Sequence, residues 1–314
     1  MEDKIKGVIF GNAVGDAIGL GTEFMSKAMV QHHYPHGLTD YEQIVQDKHR
    51  SRWQPGEWTD DTHQMLCILD SLLANKRIDI KDIGLTIIDW AHNDGRGTGR
   101  TIYSVIGSPV FMNNPHKAAE EYWLKSKKYA AANGALMRTS VLGVWEYDDP
   151  EKIRINAEKV CKITHYDPRC VGSCVILCLM ISRLLQGQIV NDDFIEEMLK
   201  EGDRYDTRIR EHLTAHVRPN IAVLALEDKA SIGYTLKALS CAFWALQHSS
   251  SFEQGISEII HEGGDADTNA AIAGAVLGAR FGYESIPQRW RNGLVKSDWL
   301  LDQVKQLINA MDMS

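Results

Sequence analysis

Gly7-Val-Ile-Phe-Gly11-Asn-Ala-Val-Gly15-Asp-Ala-Ile-Gly19 places a glycine at every fourth position. Near the other end, Ala266-Asp-Thr-Asn-Ala270-Ala-Ile-Ala-Gly274-Ala-Val-Leu-Gly278-Ala-Arg-Phe-Gly282 repeats the device. On a helix, residues four apart fall in one row, and a row with almost no side chain is a groove that a neighbouring helix can approach closely. Glycine inside a helix costs about 1 kcal/mol per site relative to alanine, so its repetition signals a packing requirement. Both rows adjoin acids: Asp16 and Glu23 in the first, Asp265 and Asp267 in the second. The two helices are expected at the middle of the fold.

Helical periodicity continues outward. Met65, Leu66, Leu69, Leu72 and Leu73 keep the i, i+3, i+4, i+7 spacing, as do Ile176, Leu177, Met180, Leu184 and Leu185. Leu236, Leu239, Phe243 and Leu246 repeat it, followed by Ile256, Ile259 and Ile260. No series of alternating strands bounded by turn dipeptides is visible, and only eight prolines interrupt the chain. The pattern predicts an all-α fold. Two irregular stretches, 31–57 and 107–133, have the length of lids or binding loops, and neither divides the chain cleanly. One compact multi-helix domain over residues 1–314 is expected.

The composition narrows function by exclusion. With 44% hydrophobic and 24% charged residues, 314 residues can bury a large core without staples. A formal net charge of −8 argues against general nucleic-acid binding and against anionic membranes. The longest apolar run, Val171 to Ile181, is short for a bilayer span, and Met1-Glu-Asp-Lys4 lacks the basic start of a signal peptide. Cys67, Cys161, Cys170, Cys174, Cys178 and Cys241 show no CxxC or secreted spacing. They are read as buried free thiols, and a cytoplasmic protein is expected.

Five motifs carry chemistry. Trp58-Thr-Asp-Asp-Thr62 leads into an apolar-periodic helix, and Gly263-Gly-Asp-Ala-Asp-Thr268 opens another. Capping explains one acid at each helix start, but two acids with a threonine exceed what a cap needs. If the fold joins the two motifs, four carboxylates repel one another unless a cation neutralises them. All-oxygen donors select a hard ion: Mg²⁺, Ca²⁺ or Mn²⁺. Third, Asp94-Gly-Arg-Gly-Thr-Gly-Arg100 can form either a flexible connection or an anion nest, with Arg96 and Arg100 adding charge. Fourth, Asn133-Gly134 in Ala132-Asn-Gly-Ala-Leu-Met-Arg138 marks a turn before a helix. Fifth, Asp167 and Pro168 read as N-cap and N1 of a helix, which leaves His165 just ahead of its start.

In this order, with Gly11-Asn-Ala-Val-Gly-Asp-Ala-Ile-Gly19 and Glu23 ahead of them, the motifs resemble the ADP-ribosylglycohydrolase family over residues 5–290. The resemblance implies an all-α single domain with two Mg²⁺ ions, or Mn²⁺ in their place. By it, Thr59, Asp60, Asp61, Asp265, Asp267 and Thr268 would be the metal ligands. Glu23 would lie beside the metals within reach of the scissile bond. Gly97, Thr98, Gly99, Asn133, Gly134 and His165 match segments that surround ADP-ribose in family members, and Asp94 lies near the side that receives a guanidinium. Ala131-Ala132 departs from the Ser or Gly that often precedes Asn-Gly, so a side-chain hydroxyl contact to phosphate is missing there.

The activity so implied is hydrolysis of the bond between ADP-ribose and a modified acceptor, with arginine preferred because Asp94 can pair with a guanidinium. ADP-ribose is the released product and an ADP-ribosylated protein or conjugate the partner. Glu23, Asp60 and Asp61 are the candidates for proton transfer. Serine-linked or small-molecule conjugates are the alternatives, as are a metal-dependent hydrolase of phosphoesters and a non-catalytic ADP-ribose-binding member. A monomer is expected. Two divalent ions would bring the formal charge of −8 to −4, so part of the acidity reads as a metal site.

Overall fold

The computed structural model describes residues 1–311. Fifteen α-helices are found among them: α1 (Glu2–Gly19), α2 (Lys27–His33), α3 (Asp60–Asn75), α4 (Ile80–Asn93), α5 (Arg100–Ile106), α6 (Pro115–Lys125), α7 (Pro150–Cys161), α8 (Pro168–Leu185), α9 (Asp192–Asp203), α10 (Thr207–His216), α11 (Thr235–His248), α12 (Phe252–His261), α13 (Ala266–Phe281), α14 (Gln288–Gly293) and α15 (Ser297–Met311). Their starts follow local caps. Asp79, Asp149, Asp167 and Ser251 each accept a hydrogen bond from a backbone N–H of the turn they open. Pro150 and Pro168 occupy N1, where no N–H is needed. No strand occurs among the described residues, only an isolated antiparallel bridge between Ala132 and Tyr234.

The two small-residue helices pack on each other. Gly7 lies against Gly278, Gly11 against Gly274, Gly15 against Ala270 and Gly19 against Ala266. The partner number falls by four as the first rises by four, so α1 and α13 run antiparallel. A Cβ added at any of these four glycines would lie closer than 3.0 Å to a carbonyl oxygen of α13. Residues Gly7–Gly19 of α1 and Ala266–Ala279 of α13 are buried all round, the signature of central helices. The register has a chemical consequence: it sets the C-terminal end of α1 beside the N-terminal end of α13.

The remaining helices wrap this pair. Helix α8 is 18 residues long and apolar enough to cross a membrane by composition, longer than the Val171–Ile181 run suggests; 89% of that stretch is buried, which makes it a core helix. Its Cys170, Cys174 and Cys178, like the other three cysteines, are buried and free. Two expectations are corrected. The 107–133 stretch contains α6, whose start is encoded by Asn114 accepting from Lys117 N–H and by Pro115 at N1. After Asn133-Gly134 the chain forms two 3-10 turns, Leu136–Arg138 and Ser140–Gly143, in place of the expected helix. Gly143 lies against Cys178 O and Ile181 of α8, so this segment is shaped by close packing rather than by propensity. The 31–57 stretch is mostly irregular, with 3-10 turns at Tyr41–Gln43 and Arg50–Arg52.

Gly15→Ala gives a sign test of this packing. On a free helix surface alanine would stabilise by about 1 kcal/mol. Here the methyl meets the Ala270 backbone, and overpacking should destabilise by about 1–3 kcal/mol or more. Urea denaturation reads the difference; a Gly15→Ala protein as stable as its parent contradicts the close approach.

Candidate active site

The site grows from Asp16, in the last turn of α1. Its side chain is fully buried and accepts from Thr59 N–H (3.0 and 3.1 Å), Thr59 Oγ1 (2.8 Å), Thr62 N–H (3.0 Å) and Thr62 Oγ1 (2.6 Å). Thr59 is the N-cap of α3 but makes no side-chain cap of its own. Asp16 therefore caps α3 from another helix, satisfying N–H groups that the first turn leaves open. That anchors the Thr59-Asp60-Asp61 turn at the end of α1.

The second acid motif arrives through two backbone turns. Gly263 and Gly264 both have φ of 70°, and a Cβ on either would run into Met25 O or Leu226 O. Gly264 donates to Met25 O at 2.9 Å while Phe24 donates to Gly264 O at 2.6 Å, which ties the Glu23 loop to the α13 start. Arg50, buried, donates to Gly21 O at 3.0 Å and to Glu23 O, holding the same loop from behind. Carboxylate oxygens of Glu23, Asp265 and Asp267 all lie within 4.8 Å of one another. Asp60 and Asp61 complete the group.

Burial is the first cause of the electrostatics here. It raises Asp60, Asp61 and Asp267 well above the ordinary carboxylate range, and their acidic neighbours raise them further. Burial also lifts Asp16 and Asp265 to about 6, against the hydrogen bonds they accept from Thr59, Thr62 and Asn133. Asp61 Oδ1 is buried and finds no partner among the described residues. A close set of buried carboxylates with an orphaned oxygen and adjacent threonine hydroxyls fits a hard divalent cation. On this observation Thr59, Asp60, Asp61, Asp265, Asp267 and Thr268 suit the group that the resemblance implies.

Two cavities flank the acids. One of about 360 Å³ is lined by Gly99, Ile102, Asn133, Gly134, His165 and Thr268, among others. The other, about 370 Å³, is lined by His49, Arg52, Trp53, Arg96 and Thr98. Glu23, Phe24, Asp60, Gly97 and Asp267 border both. Asn133 donates to Asp265 Oδ2 at 2.6 Å, its own N–H held by Gly233 O. Gly97, with φ of 88°, presses so closely on Asp60 that a side chain there would strike the carboxylate.

His165 is 1% exposed, and burial first, then Arg138, lowers its pKa to about 3, so it is neutral. Arg138 donates to Thr164 Oγ1 at 2.6 Å, and Thr164 Oγ1 lies 2.8 Å from His165 Nδ1. A guanidinium only donates, so the threonine hydroxyl accepts from it; the hydroxyl has no other acceptor among the described residues, which directs its own hydrogen to Nδ1. The ring proton is then on Nε2, which finds no partner among the described residues. A buried N–H donor thus borders the first cavity. Arg138 also donates to Gln64 Oε1 at 2.9 Å while Gln64 donates to Asp60 Oδ2 at 3.1 Å, so one buried arginine links both walls.

Asp94 is the residue the structure does not bring in. It lines neither cavity, and Arg96 donates to it from Nε at 2.6 Å and from Nη2 at 3.0 Å, which holds its pKa below the usual range. Arg96 also donates to Glu57 at 2.6 Å and to Arg52 O, so the charge expected to serve phosphate is already matched. Thr98 borders the second cavity, not the first, and its hydroxyl closes a turn onto Gly95 O at 2.7 Å. Sequence reasoning missed His49, Arg50, Phe24 and the part played by Asp16. Only Asp16 carried a signal, its place beside the glycine row; the others lie in or beside a loop without periodicity.

Comparison with known proteins adds to this geometry. A family model described as ADP-ribosylglycohydrolase matches residues 1–314. The chain is 26% identical to ADP-ribosylarginine hydrolase Tri1 of Serratia proteamaculans, over 97% of this chain and 79% of that protein. It is 26% identical to ADP-ribosyl-[dinitrogen reductase] glycohydrolase of Rhodospirillum rubrum, over 99% of this chain and 96% of the relative. ADP-ribosylhydrolase ARH3 of Gallus gallus shares 22% identity, covering 91% and 88%. A solved structure titled ADP-ribosylglycohydrolase-related protein complex superimposes with a TM-score of 0.78 at 26% identity, covering 99% of this chain and 98% of that one.

The raised carboxylates predict a pH signature. Asp16 and Asp265 titrate near 6 when folded against 3.8 ordinarily. Their contribution to stability is full below the unfolded value, near 4, and is lost as pH rises through about 6. In metal-stripped protein the gain in Tm on adding Mg²⁺ or Mn²⁺ should therefore grow from pH 4 to pH 7, read by calorimetry. A gain that is absent, or flat across that window, contradicts the cation reading.

Proposed function

The chain belongs to the ADP-ribosylglycohydrolase family, and from that premise we propose that it hydrolyses the glycosidic bond between ADP-ribose and an arginine side chain, releasing ADP-ribose. The observation that carries the reading is the placement of Glu23, Asp60 and Asp267 on the border between two cavities of similar size. A bond lying across that border has the sugar on one side and the acceptor on the other.

The first cavity takes ADP-ribose. The neutral His165 offers Nε2–H to an acceptor oxygen, and the Gly97–Gly99 segment lets the substrate approach the backbone. Asn133 fixes Asp265 and brings Gly134 to the same wall. Thr59, Asp60, Asp61, Asp265, Asp267 and Thr268 hold the divalent ions, Mg²⁺ or Mn²⁺. Bound there, such ions would supply positive charge able to polarise a water or a hydroxyl.

The residues of the chain then manage protons and orientation. Cleavage at C1″ builds positive charge on the sugar, and the buried carboxylates below it stabilise that charge. Water adds its oxygen to C1″ as the C1″–N bond breaks, and Glu23 takes one of the water's protons and passes it to the departing guanidine nitrogen, returning to its starting state. The products are ADP-ribose and unmodified arginine. Glu23 borders the two cavities, as Asp60 and Asp267 do, but it is neither one of the six residues assigned to the ions nor committed to capping a helix, as Asp16 is. The arginine assignment is supported by the name of the Serratia relative, and does not rest on Asp94, which is committed to Arg96. A guanidinium in the second cavity has Glu23 and Phe24 within its walls.

The deciding measurement is ADP-ribose release from arginine-linked and serine-linked substrates, with and without Mg²⁺. The arginine-linked substrate should turn over faster, and only with the metal present. Asp60→Asn combined with Asp267→Asn should lower turnover by about 100-fold or more. Normal turnover in that double variant would refute the metal-dependent mechanism, and preferential release from serine would move the acceptor assignment.

A further inference from the structure

The chemistry above needs Glu23 held at the acid cluster, yet its charge and those of Asp60, Asp265 and Asp267 oppose one another. Backbone anchoring by Arg50 fixes the loop but leaves the carboxylate free to turn away. The group that grips the carboxylate is His49, whose Nε2 lies 2.6 Å from Glu23 Oε2. The other ring nitrogen, Nδ1, lies 2.7 Å from Arg52 Nη2, and Arg52 Nε donates to His49 O at 3.0 Å. Guanidinium has no acceptor, so Nδ1 must accept. The proton of the neutral ring is then on Nε2 and is donated to Glu23.

Aromatic packing fixes the ring as well. Phe24 lies 5.3 Å from its centroid and Trp53 5.7 Å, the latter edge-on, while the Arg52 guanidinium sits 4.4 Å over Trp53. Phe24 holds its place with φ of 58°, a strained conformation for a bulky residue, and pairs its N–H with Gly264 O. His49 is thereby locked to the same turn that sets the start of α13.

We propose that His49 is a positioning residue for Glu23, with Arg52 selecting the tautomer whose Nε2–H faces the carboxylate. The inference rests on the assignment of Glu23 to proton transfer made above. With Oε2 occupied by His49, Oε1 is left to serve the reacting centre. Without that donor, repulsion from the neighbouring acids shifts the Glu23 carboxylate from this position, and the chemical step slows while the Asn133, Gly134 and His165 wall of the ADP-ribose cavity stays in place.

Three variants test this. His49→Phe keeps the ring between Phe24 and Trp53 but removes both nitrogens, and should lower kcat by about 10- to 100-fold with an unchanged Kd for ADP-ribose. His49→Gln returns an amide N–H near the Nε2 position and should recover most of the loss, which a purely structural role would not predict. Arg52→Ala should give a smaller loss, because the tautomer is freed but the donor remains. Imidazole ¹⁵N spectra without substrate, assigned by the signal missing in His49→Gln, should show the Nε2–H tautomer and a mixture in Arg52→Ala. A parental kcat in His49→Phe, or a His49→Gln enzyme as slow as His49→Phe, overturns the proposal, as does an Nδ1–H tautomer. An unmodified enzyme that releases no ADP-ribose refutes the functional reading, whereas the tautomer signal is decided separately.

Discussion

The antiparallel contact between α1 and α13 is the constraint on which the rest depends. Glycines at 7, 11, 15 and 19 let the two backbones meet with carbonyl oxygens where side chains would otherwise stand. Each glycine inside a helix costs about 1 kcal/mol relative to alanine, and that cost is offset by close packing along two helices buried over most of their length. The rows restrict the two helices to steps of four residues, and the observed step sets Gly7 against Gly278 and Gly19 against Ala266. Residues some 250 positions apart thus become neighbours: Asp16 and Glu23 at one end of the pair, Asp265 and Asp267 at the start of the other helix.

Gathering buried carboxylates is unfavourable, and the surrounding structure shows how the cost is met. Asp16 is spent on structure, accepting four donor groups from Thr59 and Thr62 and capping α3 across the domain. Asp60 is steadied by Gln64 and Asp265 by Asn133. Arg138, fully buried, links Gln64 to the Thr164–His165 pair without pairing directly with any of the acids. No described cation forms an ion pair with Asp60, Asp61, Asp265 or Asp267. The raised pKa values record that imbalance, which a bound divalent ion would resolve.

The two cavities differ in their walls. Around the first, glycine, asparagine and a neutral histidine present backbone and N–H donors suited to a polar, anionic ligand. Around the second, Trp53, Phe24, His49 and two arginines form an aromatic and cationic frame, in which Arg96 is paired with Asp94 and Glu57 and Arg52 donates to His49. Glu23 stands on the ridge between them. Its loop is held at the main chain by Arg50 and Gly264 and at the side chain by His49.

Much of this was legible before any coordinates. The 3.6-residue periodicity specified α3, α8, α11 and α12, and the four-residue glycine spacing marked α1 and α13 as central, because both are local patterns. Two acids with a threonine at two helix starts were enough to suggest a cation site, since caps do not need so many. What stayed hidden was pairwise. Nothing in the spacing said that the two glycine rows face each other, that Asp16 caps a helix some 40 residues later, or that Asp94 would be taken by Arg96 two residues on. His49 lies in a stretch without periodicity, so only the folded chain sets its ring against Glu23. The sequence by itself determined which helices form and which acids could bind a cation, through local propensity and residue chemistry. The tertiary structure alone decided which acids meet, which are spent on capping and which side chain holds Glu23, because those outcomes depend on the register and distance of segments far apart in the chain.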